Sequence, residues 1–267
     1  MKIFLIAGTE DGRKLAKFLS DKNYKVTASV VSDYGRKILE QYKDIEINDK
    51  KLNAAELEKI LREGDFKILV DASHPYAENV SANAIDACKN AKIFYIRYER
   101  PEVELTYKKI YRAESYEQAA EISARLGKNI FLTTGSRNLK KFLQVDAIKN
   151  CNVTARILPT AEVLAECESL GLSPKNIIAI QGKFSTELNA ELFKHADAEV
   201  IVTKNSGEVG GADTKIAAAE ILNLPVVMIE RPKIFYPNLA KNFVEVERLI
   251  GGKVESNVEF YNSTNGN

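Results

Sequence analysis

His74 stands in the run Asp71-Ala72-Ser73-His74-Pro75-Tyr76, directly after the apolar stretch 67–71. Proline biases its predecessor toward extended backbone, so His74 is expected in a loop beyond a strand end. An imidazole there could give or take a proton near neutral pH, with the Tyr76 ring beside it. The competing use of His74 is structural: packing over a sheet edge and satisfying a backbone carbonyl. The other histidine, His195, precedes Ala196-Asp197 at a helix end and suits a partner for the helix dipole better than a catalyst.

A second constellation is the turn Ala7-Gly8-Thr9-Glu10-Asp11-Gly12-Arg13, which follows the apolar run 3–7. Small residues let a backbone approach a pyrophosphate, and a helix start adds N–H donors and a positive dipole end. Thr9 would add a hydroxyl donor and Arg13 a cation. The match to G-x-G-x-x-G is incomplete. Ala7 and Thr9 stand where the first two glycines belong, and Gly12 fits the third. A tight turn with no ligand would also use these residues. About 20 residues on, where a ribose-recognition residue belongs, comes Val31-Ser32-Asp33-Tyr34-Gly35-Arg36-Lys37. Asp33 could accept from a 2′-hydroxyl, as in NADH. Ser32, Arg36 and Lys37 could cradle the 2′-phosphate of NADPH. A solvated charged loop is the third reading.

The second half carries three turns with anion-binding chemistry. They are Thr133-Thr134-Gly135-Ser136-Arg137, Gln181-Gly182-Lys183-Phe184-Ser185, and Thr203-Lys204-Asn205-Ser206-Gly207-Glu208-Val209-Gly210-Gly211. The last leads toward Lys215. In a parallel sheet all three share the carboxyl edge, where helix N-termini and cations suit a ligand with several negative groups. The third turn lacks P-loop spacing. Ordinary strand-to-helix loops also use Gly, Ser and Asp.

The elements that must position these turns alternate. Strands are expected over 3–7, 25–31, 44–47, 67–71 and 92–97, with helices over 11–19, 34–42, 54–62 and 76–89. Asn53 is expected to cap the third helix. This is α/β order: a parallel sheet flanked by helices on both faces. Arg100-Pro101-Glu102-Val103-Glu104 interrupts the rhythm and marks a domain junction. The rhythm resumes with helices over 115–126, 160–170, 186–195 and 213–222, the last with Asp213 as N-cap. Strands are expected over 129–133, 152–157, 176–180, 199–203 and 225–229. A chain of 267 residues is long enough for about two domains, here 1–100 and 101–267.

Composition narrows the class. Lys+Arg at 38 against Asp+Glu at 37 gives a net charge of +1, which argues against a nucleic-acid binder. A hydrophobic fraction of 45% argues against global disorder. Cys88, Cys151 and Cys167 form no CxxC or Cys/His cluster, so neither a protein metal site nor a disulfide framework is expected. No apolar run approaches the roughly 20 residues of a membrane span, and Glu10 and Asp11 end the first apolar stretch too early for a signal peptide. A cytoplasmic protein with no membrane partner is expected.

Taken together, Gly8-Thr9-Glu10-Asp11-Gly12-Arg13, Asp71-Ala72-Ser73-His74-Pro75-Tyr76-Ala77, Ser81-Ala82-Asn83-Ala84, Arg97-Tyr98-Glu99-Arg100-Pro101, Lys204-Asn205-Ser206-Gly207 with Gly210-Gly211 and Lys215, and Glu230-Arg231-Pro232 resemble the precorrin-6A reductase family, cobalt-precorrin-6A reductases included. The resemblance covers roughly residues 1–232. It implies two Rossmann-like domains with an interdomain cleft. It implies reduction of a double bond in (cobalt-)precorrin-6A to give (cobalt-)precorrin-6B, with hydride from NADPH or NADH, in cobalamin biosynthesis. The corrinoid substrate is fringed with carboxylates, and any cobalt would arrive with it. Carried over, Gly8, Thr9, Glu10, Gly12 and Arg13 hold the pyrophosphate, and Ser32, Asp33 and Arg36 lie at the ribose. His74 and Tyr76 face the cleft near the nicotinamide; His74 is the first candidate for the proton donor, with water or a substrate carboxyl as the rival. Lys204, Ser206, Gly207, Gly210, Gly211 and Lys215 hold substrate carboxylates, with Ser136, Arg137 and Lys183 in the neighbouring anion turns. The competing enzyme class is a two-domain transferase acting on a phosphorylated or nucleotide-linked substrate; a non-catalytic nucleotide sensor is the third option.

Overall fold

The computed structural model describes residues 1–102, 106–182, 184–205 and 211–252. The chain forms two units: Met1–Pro101 together with the chain from Lys233 onward, and Glu102–Pro232 between them.

The first unit alternates β1 (Lys2–Ile6), α1 (Glu10–Asp21), β2 (Lys25–Ser29), α2 (Asp33–Leu39), β3 (Ile45–Asn48), α3 (Ala54–Glu63), β4 (Ile68–Asp71), α4 (Glu78–Ala91) and β5 (Phe94–Tyr98). β1 and β4 are buried on both faces, and Ile3, Phe4, Leu5, Ile68, Leu69 and Val70 are fully buried. That double burial is why these strands read as unbroken apolar runs. Asn53 caps α3 as expected, in a capping box with Glu56. α4 starts at Glu78 rather than at Tyr76, because Pro75 opens a turn in which Ala77 N–H bonds to His74 O at 2.8 Å.

The second unit holds β6 (Ile110–Ala113), α5 (Tyr116–Leu126), β7 (Asn129–Leu132), α6 (Leu139–Leu143), β8 (Asn152–Ile157), α7 (Ala161–Ser169), β9 (Ile177–Ala179), α8 (Thr186–His195), β10 (Val200–Lys204), α9 (Ala212–Ile221) and β11 (Val226–Ile229). The strand β6 and the helix α6 have no counterpart in the sequence reading. β6 pairs only along the sheet edge with β11 and leaves Tyr111 and Arg112 exposed, so it lacks an apolar run. The expected N-cap of α9 also moves. Gly211 holds that position with φ +64°, and Asp213 lies inside the first turn.

Both sheets are parallel. The first has the order β12-β5-β4-β1-β2-β3, where β12 is Leu239–Ala240, and the second β6-β11-β10-β7-β8-β9. In the first, the chain winds outward one way from β1 and the other way from β4. In the second it does so from β7 and from β10. Each sheet therefore has a topological switch point, between β1 and β4 and between β7 and β10. Ligands of open α/β sheets bind beyond the carboxyl ends of such strand pairs.

Residues 233–252 do not stay with the second unit, as the expected 101–267 boundary would have it. β12 pairs with β5, Leu239 against Arg97 and Ala240 against Tyr98, which covers the sheet edge. The helix over 243–252 then buries Val246 and Ile250 in the core that also holds Leu15, Leu19 and Ile96. The ring of Phe243 meets Phe18 at 5.6 Å and Tyr98 at 5.2 Å. Among the described residues no helix is long and apolar enough to cross a membrane.

If the returning segment is part of this core, Ile250→Ala should cost about 2–5 kcal/mol in urea unfolding, the range for truncating a buried isoleucine. A loss under about 0.5 kcal/mol would show the segment to be dispensable.

Candidate functional site

The first switch point is closed by one side chain. Thr9 caps α1 by accepting from Gly12 N–H at 2.9 Å, and it donates its hydroxyl hydrogen to Ala72 O at 3.0 Å. That hydrogen bond ties the loop after β1 to the loop after β4. Thr9 therefore shapes the turn; its hydroxyl is not held out as a phosphate donor, contrary to the sequence expectation. Gly12 is required by packing. A Cβ there would lie 2.8 Å from Ala7 Cα and 3.2 Å from Ala72 O, too close for a side chain. Gly8 is different: a Cβ would meet nothing within 4 Å, so the space over the turn is open. Gly8 is exposed, and the first amides of α1 have no partner inside the helix. An open glycine before a helix N-terminus fits a pyrophosphate. The carboxylates there are neutralised locally, Asp11 by Arg100 and Glu10 by Lys14 at 2.9 Å. Arg13 stacks 5.9 Å from the Tyr34 ring.

Ser32 caps α2 by accepting from Gly35 N–H at 3.1 Å. Asp33 and Arg36 both lie on this short helix, 3.6 Å apart, with the Asp33 side chain 90% exposed. The turn thus presents a carboxylate and a cation side by side. Either ribose chemistry has its residue here.

The loop after β4 is fixed from below by an ion pair with both side chains fully buried. Asp71 and Arg97 face each other in register on β4 and β5, with Nη1 3.0 Å from Oδ1. The same Asp71 oxygen accepts from Ser73 N–H at 2.9 Å. Oδ2 accepts from Ser81 Oγ at 2.6 Å and from the Tyr95 hydroxyl at 2.9 Å. Arg97 also donates to Ser73 Oγ at 3.0 Å and to Glu99 at 3.1 Å, and it packs against the Tyr236 ring. Burial alone would push the Asp71 carboxyl up. The Arg97 charge and the hydroxyls of Ser81 and Ser73 outweigh it and hold the group below the usual carboxylate range. On the loop so fixed, His74 Nδ1 accepts from Tyr76 N–H at 3.2 Å. A neutral imidazole that accepts at Nδ1 carries its proton on Nε2. The His74 and Tyr76 rings lie 5.6 Å apart.

Asp71, Ser73, Ser81 and Arg97 received no role from the sequence reading, although all four stood in the motifs that carried the resemblance. For Asp71 and Arg97 a charged residue inside an apolar strand was the only signal, and it reads as an exposed position until the strand is known to be covered; for Ser73 and Ser81 there was none.

In the second unit Thr133 repeats the Thr9 device, donating to Val202 O at 3.0 Å across the switch point. Gly135 follows at φ +76° with open space around it. Beyond the same edge, cations gather. Burial holds Lys204 down to about 8, with the Arg137 charge acting in the same direction. Burial also brings Lys215 down to about 7, with Arg156 and Lys204 adding to the effect and Asp213 opposing it. Lys204 Nζ sits 5.6 Å over the Tyr116 ring. Of the expected substrate residues, the structure thus brings Lys204 within electrostatic reach of Arg137, and Lys215 within reach of Lys204. It adds Arg156, which the sequence reading missed. Gly211 opens α9, and Ser136 lies in the β7 turn. Lys183, Ser206, Gly207 and Gly210 lie outside the described residues. Among the described residues no group of three or more His, Cys, Asp or Glu side chains could hold a metal ion.

Two wound parallel sheets, one with a glycine turn at its switch point and the other with a cation cluster, define a two-unit, Rossmann-like α/β architecture. The profile of one family, described as Precorrin-6x reductase CbiJ/CobK, matches residues 2–251. This chain belongs to that family and is an oxidoreductase. It is 40% identical over 255 residues to a cobalt-precorrin-6A reductase of Priestia megaterium, covering 95% of this chain and 100% of the relative. A cobalt-precorrin-6A reductase of Methanocaldococcus jannaschii is 36% identical, over 89% of this chain and 93% of its own. A solved precorrin-6A reductase, CobK, shares the fold at TM-score 0.75 and 22% identity, covering 94% of this chain and 96% of that one.

Two substitutions separate architecture from binding. Gly8→Asp should leave stability within about 1 kcal/mol of the parent and abolish dinucleotide binding, because the carboxylate enters open space at the helix start. Gly12→Ala should instead destabilise by about 1–3 kcal/mol through overpacking. Calorimetric titration with NADH and NADPH, together with thermal melts, reads both. Binding that survives in Gly8→Asp would place the phosphates elsewhere. Separately, Arg97→Met should cost about 3–5 kcal/mol, since it leaves Asp71 buried without its counter-charge; urea unfolding near neutral pH measures it, and a loss below 1 kcal/mol would contradict the assigned role.

Proposed function

We propose that this chain reduces one double bond of cobalt-precorrin-6A, or of its metal-free counterpart, in cobalamin biosynthesis. Family membership supports the reaction, and the reductant is of the NAD(P)H type. In this reading the first unit holds the dinucleotide and the second holds the corrinoid's carboxylates. The observation that carries the division is the contrast between the two switch points. One offers an open glycine turn with Asp11 paired to Arg100, and the other gathers cations, with Lys204 coupled to Arg137 and Lys215 to Lys204 and Arg156. A dinucleotide needs backbone amides at its pyrophosphate, whereas a ring fringed with acids needs several cations.

When bound, the reduced nicotinamide supplies the hydride. Reduction of a double bond then requires a proton, and His74 with its hydrogen on Nε2 is the proposed donor. Tyr76 sets the imidazole by its backbone N–H and its neighbouring ring. Gly8, Gly12 and Arg13 would lie along the pyrophosphate with Thr9 closing the turn, and Asp33 and Arg36 would choose between NADH and NADPH. Cobalt, where present, belongs to the substrate. The proposed setting is the cytoplasm, with Cys88, Cys151 and Cys167 as free thiols.

The lysines make the reading testable by pH. In the substrate-free chain Lys215 and Lys204 lose their protons near pH 7 and 8, and a bound carboxylate should restore them. Corrinoid binding at pH 8.5 should therefore take up protons, and affinity should fall by up to about tenfold per pH unit per lysine above those values. The stability of the free chain should move the other way. Unfolded lysine titrates near 10.4, so the unfolded state binds more protons between about pH 7 and 10, and stability contributed by these groups rises with pH. Titration calorimetry in buffers of different ionisation heat measures the uptake; proton release would refute the assignment.

The activity itself is tested by anaerobic mixing with NADH or NADPH. Absorbance at the reduced-nicotinamide band should fall, one equivalent per macrocycle, only when cobalt-precorrin-6A is supplied. His74→Asn should lower kcat by about 10²–10⁴-fold with both KM values little changed. A chain that ignores the reduced cofactor would refute the reductase reading. Full kcat in His74→Asn would refute the proton donor alone.

A further inference from the structure

Buried arginines ordinarily sit against carboxylates, as Arg97 does in the first unit. Arg156 does not. It is the penultimate residue of β8, close to the carboxyl edge of the second sheet, and it is 6% exposed. Its Nη1 donates to Asn189 Oδ1 at 2.7 Å, and its guanidinium lies 4.3 Å over the Phe184 ring. Among the described residues no carboxylate pairs with it. Burial lowers its affinity for its proton to a value of about 10, so it stays charged at neutral pH. A charge of the same sign, on Lys215, is coupled to it.

The surroundings hold this guanidinium rather than neutralise it. Asn189 is fully buried, and its Nδ2 donates to Ser185 O at 2.9 Å and to Thr214 Oγ1 at 3.4 Å. With the amide hydrogens so engaged, Oδ1 is left to face Arg156. Thr214 is the residue before Lys215, so the same network reaches the first turns of α9. Among the described residues, Arg156 is not one of those with a buried side-chain nitrogen left without a partner. The residue as a whole is 6% exposed, at the carboxyl end of its strand.

We propose that Arg156 binds one carboxylate of the corrinoid fringe directly through its guanidinium fork, and that Asn189 and Phe184 position it for this. This rests on the reading of the second unit as the substrate unit. A buried cation without an internal counter-ion is unfavourable in the free chain, and a ligand carboxylate relieves it on binding. The planar fork also distinguishes a carboxylate from an amide or ester, which Lys204 and Lys215 as point charges do less sharply. Arg156 is thus a specificity-determining residue for an acid at one position of the ring.

The test is steady-state kinetics with cobalt-precorrin-6A on the full chain. Arg156→Gln should raise KM for the macrocycle at least tenfold, leave KM for the reduced nicotinamide within twofold, and melt no lower than a few degrees below the parent. A residue that only supports the fold would instead lower the melting temperature and move kcat and both KM values together, and that result overturns the proposal. Asn189→Asp covers the case in which Arg156→Gln does not fold. It places an internal carboxylate in the position that now accepts from Arg156, and should raise the macrocycle KM several-fold by competing for the fork. An unchanged macrocycle KM in either folded variant overturns the role of Arg156 and leaves the reductase reading intact. Failure of the parent chain to turn over the macrocycle overturns both.

Discussion

Asp71 and Arg97 meet in register between two adjacent strands, out of contact with water, and the switch-point loop of the first unit is built on that contact. Taking two such charges out of water costs several kcal/mol each, so the pair depends on hydrogen bonds to its remaining lone pairs and hydrogens. Ser73, Ser81 and Tyr95 supply them to Asp71, and Ser73 and Glu99 to Arg97, while Arg97 Nη2 is enclosed without a hydrogen-bond partner among the described residues. A register slip of one residue would turn Asp71 to the other face of the sheet. The network therefore specifies one arrangement of β4, β5 and α4, and with it one path for His74-Pro75-Tyr76. Thr9 adds the tie to the neighbouring loop.

The two units share an architecture and differ in how they treat charge. In the first, Asp11 meets Arg100, Glu10 meets Lys14, and Arg97 meets both Asp71 and Glu99. That leaves backbone amides and an open glycine as the binding elements, which suits a ligand recognised at its pyrophosphate. In the second, Arg156 is held by an amide and a ring; burial and neighbouring cations lower Lys215, with Arg156 and Lys204 beside it, and Lys204, with Arg137 beside it. In the proposed reading such a cluster of cations suits a ligand bearing several carboxylates. The same logic explains why the two switch points are stapled alike, by Thr9 and by Thr133, yet furnished differently.

Much of the architecture was legible because strands covered on both faces read as unbroken apolar runs: Ile-Leu-Val before Asp71, and Val-Ile-Val before Thr203. The edge strand β6 was not, since half of it faces water, and β12 is too short to carry a pattern. The return of residues 233–252 to the first unit depends on pairing with β5 across more than a hundred residues of sequence, and local pattern holds no record of that. In the candidate site, the glycine turn and Lys204 and Lys215 were legible from residue type and position after a strand. The roles of Thr9 and Gly12 were not. Donation to Ala72 O and contact with Ala7 arise only when β1 and β4 are neighbours. Arg156 and Arg97 were hidden for a related reason. Within a strand a charged residue looks like an exposed position until the sheet is known to be covered on both faces.

In the proposed division of labour the dinucleotide belongs to the first unit and the polyacid to the second. An amide-resolved NMR titration of the full chain with reduced nicotinamide dinucleotide addresses it without catalysis. Shifts confined to Gly8, Thr9, Gly12, Ser73 and His74, with Gly135, Lys204, Gly211 and Lys215 unmoved, are the expected outcome. Saturable shifts centred on the second set would contradict the account.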